Sequence, residues 1–92
     1  MAVSMEKVEE LLNMKRGELM REGLRALLEK RFHELRVEIV TIYLKYKVSS
    51  IEELDEKISR GELSETETFE DFTKLDFFEN EAEKIKEILK SL

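Results

Sequence analysis

Leu28, Phe32, Leu35, Ile39, Ile42 and Tyr46 follow one another at spacings of 4, 3, 4, 3 and 4 residues. Such a heptad seam runs along one side of a helix and asks for another helix against it. Val37, Val40 and Leu44 fall on the other side of the same helix, so the pattern predicts a helix that needs cover on both faces. The segment "VEIVTIYL" is rich in β-branched residues, as a strand would be. Its alternation is poor, however, and it continues a helical pattern with no breaker before it, so a helix is expected.

The flanking elements follow from the same rules. Ser4 suits an N-cap, with Glu6 in the first turn and a stripe of Met5, Val8, Leu11 and Leu12 behind it. Lys15 and Arg16 carry the charge favoured at a helix C-terminus, and Gly17 suits the left-handed cap position. The long helix is therefore expected from about Glu18 to Lys47, with a break at Gly17 preferred over a continuous helix bending near Gly23. After Tyr46 the pattern stops at "KVSS". Ser50 with Glu53, or Ser49 with Glu52 one residue earlier, forms a capping box. The short helix that follows presents Ile51, Leu54 and Ile58 and stops at Arg60-Gly61, with Leu63 folding back on its end. Thr68 with Asp71 is expected to open the last helix. Its stripe is Phe69, Phe72, Leu75, Phe78, Ala82, Ile85, Leu89 and Leu92, widened by Phe77. Asp76 with Glu79 offers an alternative helix start, and so a kink near "LDFFEN". The tetrapeptide "RGEL" occurs at Arg16 to Leu19 and again at Arg60 to Leu63, and both copies read as helix-stop punctuation rather than as a repeat. The expectation is one all-α domain over residues 1–92: a small helical bundle with a short N-terminal helix, one long central helix, a short capped helix and a C-terminal helix.

Composition narrows the class. Hydrophobic and charged residues each make up 41% of the 92 residues, which is too apolar for an acidic disordered chain. Pro, Cys, Trp and Gln are absent and Asn occurs twice, a pattern associated with proteins from hot environments (thermophiles). Without cysteine there are no disulfides or thiolate metal sites. No apolar run resembles a signal peptide or a membrane span, so a cytoplasmic location is expected.

Charge changes the picture further. The net charge of −6 divides into +2 over residues 1–47 and −8 over residues 48–92. Between Gly61 and Thr73 stand five carboxylates and no base: Glu62, Glu65, Glu67, Glu70 and Asp71. The plainer reading of this run, and the preferred one, is a solvated loop and helix start; the sharper reading is a docking surface for a basic protein partner. It would repel phosphate backbones, which disfavours nucleic acid. The alternative is a small nucleic-acid-associated helical protein using the basic face around Arg21 to Arg36, where Arg25, Lys30 and Arg31 also lie. Those bases alternate with Glu22, Glu29 and Glu34 at helical pairing distances. Glu29 and His33 share a helix face, but the di-metal helical motif sets Glu and His three apart, and Lys30 holds that position. No nucleophile–base pair and no glycine-rich phosphate loop is present, so no catalytic, cofactor or metal residue is assigned.

The stretch "YKVSSIEELDEKISRGELSETETFEDFTKL", Tyr46 to Leu75, resembles one found in small uncharacterised archaeal proteins, some of them antitoxin-like partners in toxin–antitoxin pairs. In that pattern a long helix ends at Tyr46, and a helix capped by Ser50 and carrying Glu53 and Leu54 stops at Gly61-Glu62. An aromatic-Glu-Asp, here Phe69, Glu70 and Asp71, then opens the last helix; Trp is more usual at the place of Phe69. The resemblance implies a non-enzymatic binding protein. Two short helices and one C-terminal helix do not suffice to cover both sides of the long one. A homodimer is therefore expected, its two-fold interface centred on Leu35 and Ile39 and extending through Leu28, Phe32, Ile42 and Tyr46.

Overall fold

The computed structural model describes residues 3–92 as four helices: α1 (Met5–Leu12), α2 (Arg16–Tyr46), α3 (Ile51–Ser59) and α4 (Glu65–Ser91). No strand occurs among the described residues, so the fold is all-α. Helices α2 and α4 form the body of the molecule and run antiparallel. Asp71, near the start of α4, meets Tyr46 at the end of α2, and the Leu92 main-chain oxygen accepts from the Arg25 guanidinium at 3.0 Å. Helix α3 crosses the end where α2 stops and α4 begins. The core is the α2 seam set against the α4 stripe: Leu35, Ile39 and Ile42 facing Leu75, Ala82 and Ile85, with Val48 and Leu54 closing the α3 end.

Capping explains where the helices stop. Three C-termini end on a left-handed residue, Asn13 (φ 54°), Lys47 (φ 55°) and Gly61 (φ 77°). Each carries the paired hydrogen bonds of a Schellman motif; after α3, Gly61 N–H donates to the Ile58 carbonyl and Glu62 N–H to the Lys57 carbonyl, both at 3.0 Å. The second "RGEL" is thus the expected stop signal. The first is not. α1 ends one turn earlier on Asn13, whose short polar side chain tolerates the left-handed conformation, and Gly17 lies in the first turn of α2.

At the N-termini, Ser4 and Ser50 cap α1 and α3 as expected, with Ser50 Oγ accepting from Glu53 N–H at 3.1 Å. The reciprocal arm of the box reaches one residue further back. Glu53 accepts from both the N–H and the hydroxyl of Ser49, which holds its carboxyl below the usual range. The start of α4 is a correction: Ser64, not Thr68, is the N-cap, accepting from Glu67 N–H at 3.3 Å. Thr68 is buried inside the helix, its hydroxyl donating back to the Ser64 carbonyl at 2.7 Å. In that register Thr68, Leu75 and Ala82 lie on one line. Phe69 and Phe77 turn outward, and α4 continues through Asp76 and Glu79 as a single helix.

The molecule is long for its size. Its radius of gyration is 19.3 Å, with extents of 60 × 29 × 16 Å. A compact chain of this length would have about 12 Å. The elongation follows from the pairing: α4 accompanies α2 only from Arg25 to Tyr46, and no residue of α1 is buried.

Candidate interaction surface

The seam predicted for a dimer is used inside the chain. Leu35, Ile39 and Ile42 are buried, and Leu28, Phe32 and Tyr46 pack half-buried against the same cluster. The 27-residue α4 carries a stripe of matching length and takes the place assigned to a second copy. A two-fold axis at Leu35 and Ile39 would have to displace α4. The opposite stripe, Val37, Val40 and Leu44, stays exposed, with Leu44 at 73%.

The acidic run does not form one surface either. Asp71 faces inward, accepting from the Tyr46 hydroxyl and from Lys45 Nζ, both at 2.6 Å. The Lys45 bond and then the Tyr46 bond hold its carboxyl below the usual carboxylate range, while burial and then Asp71 push the Tyr46 phenol up. Glu70 pairs with Lys74 at 3.1 Å and Glu62 with Arg60 at 3.2 Å. Glu65 and Glu67 remain exposed in the first turn of α4. Beside them Asp55, Ile58, Glu65, Thr68, Phe69 and Phe72 line a shallow hollow of about 180 Å³, apolar at its floor and acidic at its rim.

The basic residues do not share one face of α2. At about 100° per residue, Arg21, Arg25 and Arg36 fall within about 60° of one another, while Lys30 and Arg31 point elsewhere. Arg25 is engaged by Leu92, Arg31 lies 3.7 Å from Glu34, and Arg36 shares a groove with Glu79, Glu83 and Lys86. Glu29 and His33 are exposed, and among the described residues no cluster of three His, Asp or Glu is placed to hold a metal ion. Among the described residues, no helix is long and apolar enough to cross a membrane.

A further uncovered apolar surface, to which the sequence reading assigned no role, lies at the α1 end of the molecule. It comprises Leu11 (84% exposed) and Leu12 on α1, with Met20 (63%), Leu24 and Leu27 (64%) on the first turns of α2. Met20, Leu24 and Leu27 form a stripe beside the seam, whose own 4-3 spacing runs back from Leu28 to Arg25 and Arg21. The signal was their spacing of four and three residues immediately ahead of Leu28. Hereafter α1 and the start of α2, residues 5–27, are called the arm. Apart from the join at Lys15, a main tie between its helices is the Arg16–Glu9 bond of 2.9 Å.

A family profile described as the uncharacterized protein MJ0235 family matches the chain over residues 1–92. The chain belongs to that family. It is similar to the uncharacterized protein MJ0235 of the archaeon Methanocaldococcus jannaschii, at 32% identity over 59 residues, which cover 64% of this chain and 72% of the relative. The resemblance to small uncharacterised archaeal proteins holds at that level. No solved structure matches the chain.

Proposed function

We propose that this member of the MJ0235 family is a non-catalytic protein–protein interaction module. The observation that carries the reading is the apolar surface of the arm. Single exposed leucines are ordinary, but five large apolar side chains exposed at one end of an elongated molecule mark a place where another surface sits. An eight-residue helix such as α1, with no buried side chain, is marginal alone and gains its stability from what packs on it.

An antitoxin-like role is a second reading, supported by the hollow between α3 and α4. An Arg or Lys side chain from a basic partner could lay its aliphatic stem on Phe69 and Phe72 and set its charge between Asp55 and Glu65. The two readings separate in one experiment: tagged protein recovered from source cells, compared by quantitative mass spectrometry with Leu27→Glu and with Glu65→Lys/Glu67→Lys. A protein lost from the first variant assigns binding to the arm. One lost from the second, with association that slows and becomes less salt-dependent, assigns it to the acidic end. Recovery of the same proteins with all three would contradict both.

A further inference from the structure

We infer that the occupant of the arm is a second copy of this chain, the two arms packing antiparallel about a two-fold axis so that α1 of each lies on the exposed start of α2 of the other. The inference rests on the interaction-module reading and names its partner.

Three observations converge on a second copy. The first is charge. Residues 5–12 hold Glu6, Lys7, Glu9 and Glu10, a balance of −2, while residues 15–25 hold Lys15, Arg16, Arg21 and Arg25 against Glu18 and Glu22, a balance of +2. Within the chain Arg16 already pairs with Glu9 and Arg25 with Leu92, so what a two-fold axis adds is contact of Lys15 and Arg21 with Glu6 and Glu10 of the second copy. The second is area. The exposed parts of Met5, Leu11, Leu12, Met20, Leu24 and Leu27 amount to roughly 600 Å² per copy. Pairing two arms would then bury at most about 1,200 Å², the lower end of the range of stable, specific interfaces. The third is geometry. Met20, Leu24 and Leu27 are exposed on one side of α2 at spacings of four and three residues, the pattern against which another helix packs.

Sedimentation velocity on the full chain across the micromolar range tests this. The wild type should sediment as a dimer. Met20→Glu and Leu27→Glu should each sediment as a monomer at the same concentrations, with the thermal transition of the α2–α4 body retained, because both positions are exposed and Glu is a good helix former. Val40→Glu, on the other face of α2, should remain dimeric. A wild-type monomer would overturn the inference and leave the arm to a different protein, so the interaction-module reading would stand. A dimer that survives both arm substitutions and dissociates with Val40→Glu would overturn it in favour of the outer stripe.

Discussion

Lys47 holds a φ of 55° at the end of α2, a conformation that glycine adopts without the steric cost borne by a side chain. Its N–H and that of Val48 close the helix end through main-chain atoms, and its carbonyl accepts from Lys57 Nζ at 3.2 Å, so none of these bonds needs the Lys47 side chain. Lys47→Gly should raise stability by about 0.5–1 kcal/mol in urea unfolding, the relief of strain exceeding the added entropy of the unfolded chain. Tyr43 on α2 and Asp71 on α4 set the two limbs of the pH response. Burial, then the bond from the Tyr43 hydroxyl to Glu79, raises the Tyr43 phenol well above its ordinary value. A raised folded value means this contribution is fully present below about pH 10, where the unfolded phenol titrates, and is lost as pH rises further. Asp71 is the opposite case: its carboxyl is depressed, so its contribution is present above about pH 4 and lost as acid protonates it. Tyr43→Phe should therefore cost about 1–2 kcal/mol at neutral pH and reduce the alkaline loss of stability, leaving the acid limb in place. An unchanged alkaline limb in a pH series of thermal melts would count against this assignment.

Among the helices, the body was legible and the ends less so. The heptad seam named the buried residues of α2 because period alone fixes which side chains share a face. Period does not say whose helix lies against that face, since a helix of the same chain and one of a second copy fill the same grooves. That indifference is why Leu35 and Ile39 were assigned to a dimer and are found against α4. The start of α4 failed for a different reason. Ser64 with Glu67 and Thr68 with Asp71 both fit a cap signature, and the apolar Phe69 favoured the wrong one; the helix is settled by burying Thr68 with a satisfied hydroxyl. Ser64→Ala should accordingly cost about 1 kcal/mol through loss of the cap. Thr68→Ser, which keeps the hydroxyl but removes a buried methyl, should cost about as much through packing, without fraying the first turn. Amide exchange at Glu67 distinguishes them, rising in the first variant alone. The acidic run was legible as composition but not as a surface, because Asp71 is drawn inward by Tyr46 and Lys45 while its neighbours point around the helix.

As a whole molecule the chain is a paired-helix body with an arm that its own α4 does not reach, and association is what would complete the arm. Backbone hydrogen exchange, followed residue by residue as protein concentration is raised, reads that claim directly. The helical amides of α2 beyond Leu28 and of α4 should be protected at every concentration, because their core is intrachain. Amides of α1 and of the first turns of α2 should exchange quickly when dilute and become protected together as concentration rises, and Leu27→Glu should abolish the change. Protection of the arm independent of concentration, or a concentration-dependent change confined to Val37 through Leu44, would contradict the account.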